Sequence, residues 1–110
     1  MKIAIPTAEG KLAMHFGHCD KFAVITVENN EIIAQEELIP PPHEPGVLPK
    51  WLHEQGVNVI IAGGMGQRAQ QLFANNDIEV NVGAPVMEVD ELVKAYLANT
   101  LETGENACDH

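Results

Sequence analysis

Basic residues are scarce in this chain of 110 residues, which has 6 Lys and Arg against 16 Asp and Glu and a formal net charge of −10. Nucleic-acid binding draws its affinity from cationic side chains that neutralise phosphates, and anionic membranes attract proteins by the same charges. The composition therefore argues against DNA, RNA or a membrane as a partner. No apolar run approaches the roughly 20 residues of a membrane-spanning helix.

Cysteines and aromatic residues are also few. Two cysteines do not make a disulfide framework, and the N-terminus shows no signal-peptide pattern, so we expect a reducing, cytoplasmic setting. Aromatic residues make up 5% of the chain, so the core must consist mainly of Ile, Val, Leu and Ala. The length suits one domain, which we place at residues 1–100, followed by a polar, flexible tail at 101–110.

Apolar residues alternate between the spacing typical of strands and that typical of helices. Pro6 is expected to end the first strand, and Gly56 to end the first helix. The element order is β-β-β-α-β-α-β-α. The predicted strands cover residues 2–6, 22–28, 31–38, 57–62 and 79–82, and the predicted helices lie at about 47–55, 67–75 and 89–97.

This order predicts an α/β fold with a mixed five-stranded sheet, strand order 3-2-1-4-5, and helices on both faces. Strands one and four are then parallel neighbours at the point where the winding direction changes. Ligands of open α/β sheets bind outside the carboxyl ends of the strands at such a point. The loop containing His15–Cys19 follows strand one and Gly63–Gly66 follows strand four, so we expect them to meet at one crevice.

Three soft metal ligands, His15, His18 and Cys19, lie within five residues of the first loop. Imidazole and thiolate suit copper, zinc, iron and metal–sulfur clusters. The structural alternative is that Phe16 fills the core, Gly17 makes a turn and the histidines are polar loop residues. A second pair of such ligands, which could complete the set if the tail folds back, is Cys108 and His110, although chain termini are usually disordered.

The segment Gly63-Gly64-Met65-Gly66 joins a buried strand to a helix. Its backbone N–H groups can approach an anion closely, and the helix dipole favours negative charge there. It lacks the Lys and Ser/Thr of a P-loop. Arg68, in the first turn, could pair with the anion, and Met65 could be a ligand or a lid. The alternative is tight strand–helix packing by glycine beside a surface arginine.

Several motifs occur in this chain in the order seen in one known family. They are His15-Phe16-Gly17, Phe22, Ile60 to Gly66, Ala69, Leu72 and the closing Gly104 to His110. Together they resemble the nitrogenase iron–molybdenum cofactor biosynthesis family over nearly the whole chain. The resemblance implies an RNase H-like three-layer fold. It also implies non-catalytic binding, carriage or insertion of iron–molybdenum or related metal–sulfur clusters, including copper-containing ones, with cluster-assembly or acceptor proteins as partners.

Two other functions compete with cluster carriage. One is a transition-metal (copper, zinc or iron) binding or sensing protein that uses His15, Cys19, Cys108 and His110. The other is a metal-dependent nuclease or hydrolase on the same fold. Two-metal phosphoryl chemistry needs carboxylates at the metals, and neither strand one nor strand four contains an acid. We therefore expect a non-enzymatic protein.

Overall fold

The computed structural model describes residues 1–8, 11–12, 21–41, 46–84 and 86–98. Its elements alternate between strands and helices after an initial run of strands. The strands are β1 (Lys2–Ala8), β2 (Lys11–Leu12), β3 (Lys21–Glu28), β4 (Glu31–Leu38), β5 (Val59–Ile61) and β6 (Glu79–Asn81). The helices are α1 (Val47–Glu54), α2 (Gln67–Asn75) and α3 (Val89–Leu97).

The sheet is mixed, with the strand order β4-β3-β1-β5-β6 and with β2 paired to β1. Strand β3 runs antiparallel to both of its neighbours, β4 and β1, whereas β1, β5 and β6 run parallel to one another. Asn29 and Asn30 form the β3–β4 turn with φ of 52° and 62°, the left-handed conformation that asparagine tolerates. The predicted α/β class is confirmed, and the main path has the predicted order; β2 is a sixth strand that the prediction missed.

Strand β1 continues past Pro6 to Ala8, so the prediction that Pro6 ends it was wrong. One edge of β1 pairs with β3 from Lys2 to Thr7. The other edge pairs with β5 at Ile3 and Ala4, and with β2 at Thr7 and Ala8. Pro6 lies between these two partners, so its missing N–H costs the sheet no hydrogen bond on that edge.

Alternating side chains of β1 enter two separate cores, which makes the domain three-layered. Ile3 and Ile5 pack in the core that includes Leu92 and Val93 of α3. Ala4 belongs to the other core, which α1 and α2 cover. The buried members of that second core are Ala4, Phe22, Val24, Leu48, Leu52, Val57, Ile60, Ala62, Met65, Phe73 and Ile78.

A glycine with positive φ stands at each end of α1. Gly56 follows it with φ of 85°, in the left-handed region that commonly terminates helices, and Gly46 precedes it with φ of 81°, a conformation that glycine adopts without strain. Pro49 lies in the first turn, where a missing N–H is tolerated. In the described part of the chain, no helix has the length and apolar character needed to cross a membrane.

Candidate functional site

The segment Gly63–Gly66, called here the glycine segment, leaves the sheet at the carboxyl ends of β1 and β5. The parallel register pairs Ile3 with Val59 and Ala4 with Ile60. Extended by the same register, Gly63 would stand opposite Thr7. That place is taken by Leu12 of β2. Strand β2 therefore ends the β1–β5 pairing, and the chain after β5 must turn out of the sheet at the switch point.

Backbone hydrogen bonds fix the start of the glycine segment to the chain that follows β6. The N–H of Gly83 donates to the carbonyl of Gly63 at 2.9 Å, and the N–H of Ala84 donates to the carbonyl of Ala62 at 3.2 Å. Gly63 and Gly64 are buried. Met65 is 1% exposed, and its side chain belongs to the core beneath α1 and α2.

Gly66 is exposed and serves as the N-cap of α2, with φ of −64° and ψ of 154°. Among the described residues, no side chain caps the helix. The first N–H groups of α2 therefore lack both intrahelical partners and a capping oxygen. Outside its chain neighbours, no described atom lies within 4 Å of the position that a Cβ on Gly66 would take. Neither the backbone angle nor packing against the described residues requires glycine here.

The side chain of Gln70 holds the glycine segment from within α2. Its Nε2 donates a hydrogen bond to the carbonyl oxygen of Met65 at 2.9 Å. Helical side chains tilt toward the N-terminus of their helix, so residue 70 can reach the peptide before the N-cap. The bond gives a partner to the carbonyl of a buried residue, which would otherwise be costly to bury.

The charges at the start of α2 are opposite to those that a helix dipole favours. The first turn contains no acid and carries the exposed Arg68. Anions stabilise a helix N-terminus and cations a C-terminus, so an arginine here is unfavourable unless an anion is also present. Helix α3 has the ordinary pattern, with Asp90 and Glu91 in its first turn.

Helix α1 repeats this unusual pattern at the same edge. Its N-cap, Gly46, makes no side-chain cap, and its first turn has no acid but contains the exposed Lys50. Lys2 Nζ donates to the carbonyl of Gln55 at 3.2 Å, which places the C-terminus of α1 beside the start of β1. The N-terminus of α1 therefore faces the opposite, carboxyl edge. Helices α1 and α2 contact each other, and both begin at this edge of the sheet.

Both ends of the first loop also lie at this edge. Thr7 Oγ1 donates to the carbonyl of Lys21 at 3.1 Å, joining the end of β1 to the start of β3. Leu12, buried in the α3-side core, donates its N–H to the carbonyl of Met87 at 3.2 Å. The predicted loop ligands themselves lie outside the described residues: His15, Phe16, Gly17, His18 and Cys19.

The predicted tail ligands, Cys108 and His110, also lie outside the described residues, as does the whole predicted tail. Among the residues that the structure does describe, no three His, Cys, Asp or Glu side chains are grouped so as to hold a metal ion. Of the predicted site residues, the structure therefore brings together Gly63, Gly64, Met65, Gly66 and Arg68.

Three features of this edge were not predicted from the sequence. Strand β2 has two residues, too few for a periodic pattern, although Leu12 is an apolar residue in a polar stretch. Lys50 could have been found by asking which first turns carry a cation and no acid. Gln70 had a weaker signal, a long amide side chain four residues after a glycine N-cap.

The sheet order and its switch point place this chain among the three-layer α/β domains, and in open α/β sheets ligands generally bind outside the carboxyl ends of the strands at such a point. The family can be stated more closely. This chain belongs to the family described as dinitrogenase iron-molybdenum cofactor, whose model matches residues 1–99.

Relatives of known sequence or structure cover almost the whole chain. An uncharacterized protein of Methanocaldococcus jannaschii, MJ0580, is 33% identical over 111 residues, which span 96% of this chain and 92% of that protein. The crystal structure of PH0822 superposes with a TM-score of 0.86 at 25% identity and covers 94% of each chain. The apo orange protein of Desulfovibrio gigas shares the fold, with a TM-score of 0.78 at 20% identity over 96% of this chain and 93% of that one.

Proposed function

We propose that this protein binds and carries an anionic metal–sulfur cluster, iron–molybdenum or related, without catalysing a reaction. The observation that carries the proposal is the glycine segment, which leads into an uncapped helix whose first turn has a cation and no acid. Family membership supports the cluster chemistry. A cluster that passes between proteins must be held firmly enough for transport and loosely enough for release.

Backbone N–H groups and a helix dipole suit such a cargo. Thiometallate and metal–sulfur clusters carry negative charge spread over sulfur atoms, which accept hydrogen bonds. The uncapped N–H groups of α2 supply donors without a side chain that must be desolvated. Arg68 and Lys50 add positive charge in the first turns of the two helices that begin at this edge, in a protein whose net charge is −10. The local charge therefore favours an anion that the protein as a whole would repel.

Side-chain ligands would come from the first loop in this proposal. Both described ends of that loop lie at the carboxyl edge, and His15, His18 and Cys19 stand between them in the sequence. Cys108 and His110 are the proposed ligands of the tail. Imidazole and thiolate bind the metals of such clusters, and His15, within the family-like His-Phe-Gly, is the first choice.

The direct experiment is an anaerobic titration of the purified protein with tetrathiomolybdate, alone and then with iron(II) or copper(I). Trp51 is the only tryptophan, and its fluorescence gives a binding signal that equilibrium dialysis with metal and sulfide analysis can confirm. We expect saturable binding with molybdenum and sulfide retained together. Binding of bare zinc or copper without sulfide would instead support the metal-sensor alternative.

Matched variants locate the site. Arg68→Ala and Lys50→Ala should each weaken tetrathiomolybdate binding about threefold, the size expected for one exposed charge. Lys94→Ala, in the second half of α3, is the control and should have no effect. For the loop ligands, His15→Ala should lower cluster retention more than His43→Ala, which changes a histidine in a proline-rich segment outside the first loop. Equal retention in those two variants would remove His15 from the site.

A further inference from the structure

From the contact between Gln70 and Met65 we infer that Gln70 is a positioning residue, which fixes the Met65–Gly66 peptide with its N–H directed toward the bound anion. The inference rests on the proposed function for its ligand and adds a residue that acts on the site without touching the cargo. Its basis is the 2.9 Å hydrogen bond from Gln70 Nε2 to the Met65 carbonyl.

The geometry of a peptide bond turns this contact into an orientation. The described chain contains no cis peptide bond, so the Met65 carbonyl and the Gly66 N–H point in opposite directions. With the carbonyl held against the Gln70 amide, the Gly66 N–H points away from that side chain. Among the described residues no acceptor is bonded to this N–H, whereas the carbonyl of Gly66 accepts from the N–H of Gln70 at 3.1 Å.

The hydrogen bond from Gln70 restrains the Met65–Gly66 peptide, which a glycine at position 66 would otherwise allow to rotate. A flip of the Met65–Gly66 peptide changes ψ of Met65 and φ of Gly66, and glycine adopts positive φ at little cost. The flipped peptide would present the Met65 carbonyl oxygen in place of an N–H donor. An anion would then meet a partial negative charge, and its affinity would fall.

The test replaces Gln70 by residues that keep its length and change its donor. Gln70→Met removes the donor, and Gln71→Met is the control, an exposed neighbour on the same helix. The first readout is the amide resonance of Gly66 in ligand-free protein by 15N NMR. We expect it to shift and broaden in Gln70→Met and to stay unchanged in Gln71→Met. An unchanged Gly66 amide in Gln70→Met would overturn the inference.

In Gln70→Glu, the hydrogen-bond donor at position 70 can be removed and restored by changing the pH. A protonated carboxyl at position 70 can donate to the Met65 carbonyl, whereas a carboxylate cannot. The Gly66 amide of this variant should therefore return toward the wild-type position in acid and move away as the carboxyl ionises. Gln71→Glu carries the same charge and should show no such titration at Gly66. A merely space-filling role for Gln70 predicts no pH dependence in either variant.

The second readout is tetrathiomolybdate affinity near neutral pH. Gln70→Met should bind the anion about tenfold more weakly than the wild type, the effect of one misdirected hydrogen bond to a charged group. If Gln70→Met shifts the Gly66 amide resonance but binds tetrathiomolybdate as tightly as the wild type does, the orientation of this peptide does not affect anion binding and that part of the inference is wrong. If the wild type binds no tetrathiomolybdate while Gly66 responds to Gln70 as described, the proposed cargo is wrong and the peptide lock is supported.

Discussion

The hydroxyl of Tyr96 in α3 donates a hydrogen bond of 2.6 Å to Oε2 of Glu79 in β6. The same carboxylate oxygen accepts a hydrogen bond from Asn81 Nδ2 at 3.2 Å. This contact joins α3 to the last strand of the sheet and couples two ionisable groups. Burial, the hydrogen bond to Glu79 and the charge of Glu79 raise the pKa of Tyr96 to about 12.

The first prediction is therefore a shifted tyrosine titration. Tyr96 is the only tyrosine, so the absorbance of tyrosinate reports this group alone. We expect a midpoint near 12 in the folded protein, against the ordinary value of 10.0 in the urea-unfolded chain. Glu79→Gln should lower the folded midpoint because it removes the charge, while the effect of burial remains. Glu54→Gln, on α1, is the control; the same midpoint in Glu79→Gln and the wild type would contradict the assignment.

The raised pKa of Tyr96 also sets a limit to stability in alkali. A group whose pKa is higher in the folded state stabilises that state fully below its unfolded value. The contribution is lost as the pH rises through the folded pKa. The free energy of unfolding should therefore fall between pH 10 and about 12. Urea titrations followed by circular dichroism can check this, and Tyr96→Phe should remove that part of the alkaline loss.

A second prediction concerns the stability of the fold at low pH. Hydrogen bonds from Tyr96 and then Asn81 lower the pKa of Glu79, against a smaller opposing effect of burial. A lowered carboxyl pKa stabilises the fold above the unfolded value and ceases to do so as the pH falls through the folded pKa. Tyr96→Phe should cost about 0.5 kcal/mol near neutral pH, a small value because Glu79 is exposed. The difference from the wild type should shrink in acid; a constant difference at all pH values would contradict this coupling.

The strand order could be predicted because the apolar pattern distinguishes central from edge strands. Val59, Ile60 and Ile61 are all buried, as expected of a parallel strand covered on both faces. β4 is largely exposed and lies at an edge. Placing β1 next to β5 then followed from the handedness of crossovers, and that pairing located the glycine segment at the switch point.

What could not be predicted depends on contacts distant in sequence. Proline ends strands only when it removes a needed hydrogen bond, and Pro6 falls where the partners on one edge of β1 change from β5 to β2. The two residues of β2 are held in the sheet by pairing with Thr7 and Ala8 and by the hydrogen bond from the N–H of Leu12 to the carbonyl of Met87. Two residues are too few to show a periodic pattern in the sequence. The ligand roles of His15 and Cys19 remain predictions, because the described residues do not include them.

The third prediction uses the ring contact between Phe22 and Trp51, an edge-on pair with centroids 5.9 Å apart. Phe22→Leu should cost about 1–2 kcal/mol, from the lost ring contact and the smaller buried surface. It should also change the emission of Trp51, the only tryptophan. Ile25→Val, in the opposite core, is the control that should destabilise the fold without changing emission. An unchanged spectrum in Phe22→Leu would mean that the two rings do not pack together in solution.

The last prediction separates fold stability from ligand binding at Gly66. A serine at this N-cap position can accept hydrogen bonds from the free N–H groups of α2, and the φ of −64° and ψ of 154° suit it. Gly66→Ser should therefore stabilise the fold by about 0.3 kcal/mol, since serine caps slightly better than glycine. The same substitution should weaken tetrathiomolybdate binding about fivefold, because the anion must displace the serine oxygen from the amides it needs.

Glu88→Ser is the matched control for this change, since Glu88 is the N-cap of α3 and also makes no side-chain cap. It places a serine at a helix start whose first turn already contains Asp90 and Glu91. We expect it to leave tetrathiomolybdate binding unweakened, because an anion at α3 would be repelled by those acids. Chemical denaturation and anaerobic titration of both variants give the two numbers needed. If Gly66→Ser stabilises the protein and binds the anion as well as the wild type does, the free amides of α2 are not the binding groups.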